Sequence, residues 1–140
     1  MRGIYRDMVR SLGGRILSDS GWRGNTIVDS AWLLVAGLMK NDPSVRGILF
    51  WAVGDGLAEW DVALPPADTA GTRLVHEVDR TSIASEAMTY VGGDGRPSAE
   101  PSYCIEVTAA FTWNHDRSLR EFGLFGGDAT AARDTGTLIN

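Results

Sequence analysis

The sequence predicts a mainly β fold: an antiparallel β-sandwich of about five to seven strands with one packed α-helix at about residues 30–40. Three observations carry this. Residues 103–113 place Tyr103, Ile105, Val107, Ala109, Phe111 and Trp113 on one face and Cys104, Glu106, Thr108, Ala110 and Thr112 on the other, the period of two that a half-buried strand requires. Glycine pairs at 13–14, 92–93 and 126–127 supply turn chemistry at hairpin spacing. Only the segment after Asp29 combines the length and apolar density of a packed helix.

Each element follows in turn. Ile4, Tyr5, Met8, Val9 and Leu12 have helical spacing with Arg2, Arg6 and Arg10 opposite, but Gly13-Gly14 can take the positive φ of a tight turn and residues 15–22 are extended in character, which favours an N-terminal hairpin or arm at about 1–25. Asp29 is placed to cap a helix running from Ser30 to about Lys40, ended by Asn41 and Pro43. Trp32, Leu33, Leu34, Val35, Leu38 and Met39 surround most of that helix, so it should be packed on more than one side. The apolar run 48–53 between Gly47 and Gly54 reads as a central strand covered on both faces. Residues 54–71, with Pro65-Pro66, read as loop, pinned by Leu74, Val75 and Val78. Thr81 to Val91 reads as a strand, 92–101 as a hairpin connection, and the strand around 120–125 leads to a final strand at 136–139.

Composition bounds the rest. The 140 residues, 44% apolar with five Trp, make one domain over 1–140 with a single core. A net charge of −5 and only one lysine, Lys40, argue against direct nucleic-acid binding. Arg2, Arg6, Arg10, Arg15 and Arg23 nevertheless make the start of the chain locally basic. Cys104 stands alone, so no intramolecular disulfide or cysteine-based zinc site is expected. No signal peptide or membrane-spanning segment is expected, since the longest apolar stretch, 31–39, is far short of the about 20 residues a bilayer requires.

No catalytic motif emerges. His76 and His115 lack a nucleophile with an orienting acid. Glu59 and Asp61 flank Trp60 like a glycosidase acid pair, but in a loop they read as solvent-facing. Gly54-Asp-Gly56 lacks the remainder of any nucleotide-binding turn. Asp55, Asp94, Asp116 and Asp128 lie in turns without EF-hand spacing, where a backbone-bonding role is the ordinary one. No cofactor or metal is assigned. Trp22 and Trp60 are the two aromatic rings expected to be exposed, and with them a glycan-binding module is the alternative function.

Trp51-Ala-Val-Gly-Asp-Gly56, Thr72-Arg-Leu-Val-His-Glu-Val-Asp-Arg80 and Arg120-Glu-Phe-Gly-Leu-Phe-Gly-Gly127, in that order, resemble structural proteins of tailed bacteriophages and phage-tail-like injection devices. In those proteins a strand ending in a Val-Gly-x-Gly turn precedes a Leu-x-x-Glu-Val-x-Arg loop and a later Arg-Glu-Val-Gly-Leu-Phe strand. The resemblance implies a non-enzymatic tail, baseplate or fibre-attachment component, assembled in the bacterial cytoplasm and carried in the particle. Its partners would be other tail or baseplate proteins and further copies in a ring or trimer. An unguarded final strand is an edge open to pairing, so Leu138 and Ile139, together with Arg2, Arg6 and Arg10 facing an acidic neighbour, are the expected subunit contacts.

Overall fold

The computed structural model describes residues 2–140, with Glu86 described through its backbone alone. The chain is mainly β, with several antiparallel sheets and, among the described residues, one α-helix. The N-terminal hairpin is present. β1 (Gly3–Tyr5) pairs with β4 (Arg23–Asn25), and β2 (Met8–Arg10) with β3 (Ile16–Asp19), giving one continuous two-stranded ribbon. Its turn is closed by the Ser11 N–H donating to the Arg15 carbonyl at 2.9 Å and the Gly14 N–H to the Ser11 carbonyl at 2.8 Å. Gly14 sits at φ +83°, in the left-handed region that a side chain makes costly.

Helix α1 (Ser30–Met39) lies where the sequence placed it. Two expectations for it fail. Asp29 does not cap it; its own backbone is helical, and its carboxylate accepts the Thr69 hydroxyl at 3.4 Å instead. Nor is the helix packed on most sides: Ala31 and Leu34 are buried, whereas Trp32, Leu33 and Met39 are 52%, 74% and 81% exposed.

β5 (Ile48–Gly54) is central, as its continuous apolar run requires. It is flanked by β6 (Glu77–Ser82) on one side. The expected strand from Thr81 to Val91 is two strands instead: β6 begins at Glu77, and a 3₁₀ turn at Ser85–Ala87 separates it from β7 (Met88–Val91). The break follows buried Ile83, whose N–H donates to the Leu49 carbonyl at 2.8 Å and ends the ladder at the core. β7 pairs with β8 (Pro97–Ser98) and β9 (Ile105–Val107) in a small three-stranded sheet. The alternation at 103–113 survives only in part. Val107, Ala109, Phe111 and Trp113 are half-buried with exposed residues between them, but the ladder with β7 ends at Val107 opposite Met88, with one further bond from the Thr108 N–H to the Ala87 carbonyl at 3.0 Å in the 3₁₀ turn that precedes β7.

β10 (Glu121–Gly126) lies on the other side of β5, and β11 (Thr137–Leu138) pairs with β10, so the principal sheet runs β11-β10-β5-β6. The β-rich class with one helix is as expected, and the principal sheet carries an apolar cluster on each face. Leu124 joins Ala31, Leu34, Ile139, Ile27, Val45 and Ile48 under the helix, while Phe125 packs with Val28, Ala52, Leu74, Ala129 and Leu138. Gly126 permits the helix approach, since a Cβ there would lie 2.6 Å from the Leu34 Cδ1.

Phe125, 1% exposed, is the largest fully buried side chain. Phe122 is half-buried, in ring contact with Tyr5 at 4.8 Å and Trp51 at 5.6 Å. Phe125→Ala is therefore expected to cost about 3–5 kcal/mol in denaturant unfolding, the range for a fully enclosed phenylalanine, and Phe122→Ala clearly less. Equal losses at the two positions would show that the burial order is wrong.

Candidate functional site

The ribbon at 3–25 is the first candidate surface. Every residue of β2 and β3 is exposed, including Met8, Val9, Ile16 and Leu17, and Leu12 at the tip is 97% exposed. Among the described residues, no hydrogen bond or ion pair ties residues 6–22 to anything beyond the ribbon itself. Arg6 forks onto Asp19 across it, the Asp7 N–H donates to the Ser20 hydroxyl at 3.0 Å, and Arg10 Nη1 donates to the Gly14 carbonyl at 3.2 Å. A two-stranded ribbon alone is marginally stable in water, so such internal bonds are what give this one its shape.

Hydrogen bonding from Arg6, helped by the Gly21 N–H, holds the Asp19 carboxyl well below the usual carboxylate range. A depressed folded-state pKa contributes order that is complete above the unfolded value and lost as pH falls through the folded one. Amide protection in the ribbon, corrected for the intrinsic pH dependence of exchange, should therefore hold from neutral pH down to the unfolded carboxyl value and fall progressively below it. Protection that falls already well above the carboxylate range, or that persists in strong acid, would show that this pair does not hold the ribbon.

The other candidates separate sharply. Arg2 is exposed beside β1, but Arg6 is committed to Asp19 and Arg10 to the turn. Leu138 and Ile139, expected at a subunit boundary, are buried in the core. The edge there is sealed within the chain: the Val28 N–H donates to the Ile139 carbonyl at 3.1 Å and the Ser30 hydroxyl to the Leu138 carbonyl at 2.6 Å. Trp22 is 60% exposed on the ribbon. Trp60 is half-buried and lies against Gly56, where a Cβ would strike its ring, a contact that anchors the loop. Asp61 is not a free acid either. Arg120 donates to its two oxygens at 2.8 and 2.7 Å, and that bonding lowers the Asp61 pKa. Cys104 is exposed.

The three motif segments meet at one end of the principal sheet. The Glu121 carboxylate accepts the N–H groups of Val75 at 2.8 Å and His76 at 2.7 Å, and Arg120 Nη1 donates to the Asp55 carbonyl at 2.9 Å. A side chain at Gly54 would collide with Glu121 and with the His76 carbonyl. Leu74 and Val78 are buried as expected, whereas Val75 points outward, its place in the pattern serving only to present its N–H. His76 Nδ1 lies 2.5 Å from Asp55 Oδ1 on the surface. Beside it, Asp55, Val78, His115, Asp116, Arg117, Ser118, Leu119 and Arg120 line an open cleft of about 390 Å³. Of the cleft's polar groups, Arg120 binds the Asp55 carbonyl and Asp61, and Asp55 pairs with His76, contacts that latch the loop. Among the described residues no cluster of His, Cys, Asp and Glu is placed to hold a metal ion, and no helix is long and apolar enough to cross a membrane.

Comparisons with protein-family models, curated proteins and solved structures found no match. The likeness to phage-tail proteins therefore stands on the three motifs alone.

Sequence reading missed two features. Glu77 and Arg80 form an ion pair inside the core, at 0% and 3% side-chain exposure; three apart in a regular strand they would face opposite sides, and the register shift opposite Val53/Gly54, which the sequence does not mark, lets them meet. The exposed apolar residues Leu57, Val62 and Leu64 of the central loop had no periodicity to mark them.

Proposed function

We propose that this chain is a non-enzymatic structural subunit of a phage tail or tail-like particle, acting as an adaptor or as a fibre or baseplate attachment module. The observation that carries the reading is its surface. The chain exposes 9682 Å², against about 7,100 Å² for a compact monomer of its mass. The excess, on the order of 2,600 Å², is enough for several partner contacts at roughly 800 Å² each. It lies in a ribbon, a small outer sheet and a loop that all display large apolar side chains. Side chains such as Leu12, Val62 and Tyr103 standing in water are what a subunit leaves for its neighbours. The motif likeness supplies the setting: tail or baseplate proteins as partners, assembly in the bacterial cytoplasm, and residence in the particle.

Quantitative mass spectrometry of purified particles tests this, with a fixed integer copy number relative to the other structural proteins as the expected result. Presence only in trace amounts that vary between preparations would sink it. The glycan-binding alternative is favoured by Trp22, the more exposed of the two rings. A panel of bacterial surface sugars with Trp22→Ala as control separates the two readings.

A further inference from the structure

We infer that the N-terminal ribbon docks on the central loop of a second copy of this chain, head to tail. The inference deepens the reading of the chain as an assembly subunit and rests on it. Residues 2–25 hold five arginines against two aspartates, a balance of +3; the whole chain is −5, so the remaining residues carry −8. Opposite charge of this size on two parts of one molecule favours contact between copies.

The acidic side has a specific receiving element. No Lys or Arg lies between Arg46 and Arg73, while Asp55, Glu59, Asp61 and Asp68 do. With Asp61 held by Arg120, Glu59 and Asp68 are exposed on the loop and, among the described residues, have no cationic side-chain partner. The same loop displays Leu57, Val62 and Leu64, the last two 92% and 83% exposed. The ribbon answers in kind, with Arg15 and Arg23 beside Val9, Leu12, Leu17 and Trp22. Both elements are shaped before they meet. The loop is tied at one end by Trp60 on Gly56 and Asp61 on Arg120, and at the other by the Asp29 N–H donating to the Thr69 carbonyl at 2.7 Å. Little ordering entropy is then lost on docking. Because donor and acceptor surfaces are different patches, the contact is heterologous and repeats from copy to copy.

The test is sedimentation velocity of the full-length chain up to about 100 µM, in about 0.05 M and about 0.5 M salt. Self-association that weakens with salt is expected. Arg15→Glu/Arg23→Glu and, separately, Glu59→Lys/Asp68→Lys should each weaken it by about tenfold or more. Both leave melting unchanged because the side chains are exposed. Mixed together, the first variant still offers its loop and the second its ribbon, and the reversed charges match as well, so the mixture should co-associate where neither variant associates alone. A wild type that stays monomeric, a ribbon variant that associates like wild type, or a mixture that does not pair would each overturn the inference. A monomeric wild type found at fixed copy number in particles would remove the self-docking contact and leave the subunit reading standing.

Discussion

Removing residues 135–140 is expected to unfold the domain rather than to free an assembly edge. The segment carries β11, with Leu138 and Ile139 buried on opposite sides of the principal sheet and so belonging to both core clusters. Losing a buried Leu or Ile side chain costs about 2–5 kcal/mol each, against a total stability of about 5–15 kcal/mol for a typical domain. Backbone terms add to this. The Ile139 N–H donates to the Leu124 carbonyl at 2.9 Å, and the Asn140 side-chain oxygen accepts the Leu124 N–H at 2.9 Å. Truncation strips these partners from β10 and leaves the Val28 N–H without its acceptor. Circular dichroism of the truncated chain should show no cooperative melt, or the protein should be recovered only as aggregate. A soluble truncated chain melting within a few degrees of full length would restore the open-edge view of this strand.

That reversal shows where sequence reasoning stops. An edge strand can be recognised from its pattern, but what covers it is a long-range fact: Val28 and Ser30 seal Leu138 and Ile139 from more than a hundred residues away. Elements fixed by local chemistry were legible. The ribbon follows from Gly13-Gly14, α1 from its apolar density and the Asn41 and Pro43 stop, and β5 from an unbroken apolar run between glycines. The strand expected at 103–113 shortened because alternation records which side faces the protein, whereas pairing depends on a neighbour that continues as a strand, and before Met88 that neighbour is a 3₁₀ turn. Candidate sites failed for a related reason. Trp60 and Trp22 look alike in sequence, yet the missing side chain at Gly56 draws one ring down and nothing comparable stands beneath the other. The motif glycines and acids were visible; their shared purpose, latching the 54–76 loop through Glu121 and Arg120, appears only when the three segments come together.

Arg80→Met is expected to be the most damaging single substitution of a polar residue, costing about 3–5 kcal/mol, because it leaves the Glu77 carboxylate buried without its counter-charge. Arg80 Nε and Nη2 donate to the two Glu77 oxygens at 2.6 and 2.7 Å. Its Nη1 reaches the carbonyls of Thr130 and Thr135 at 2.8 and 3.1 Å, and the guanidinium lies 4.8 Å from the Phe125 ring centroid. Glu77 in turn accepts the Asp134 N–H at 3.0 Å. The pair thus joins β6 to the 127–136 loop, whose Thr130 and Thr135 carbonyls it satisfies. The double variant Glu77→Leu/Arg80→Met separates charge from connection. If uncompensated charge dominates, the double variant should recover much of the stability lost in Arg80→Met, since a buried pair replaced by apolar side chains is often close to neutral. The loop bonds to Thr130, Thr135 and Asp134 are absent from the double variant, so recovery should stay incomplete. Chemical denaturation of the wild type, both single variants and the double completes the cycle. A double variant less stable than Arg80→Met alone would show that the pair acts mainly as a tether for the loop, with its mutual charge compensation a minor part.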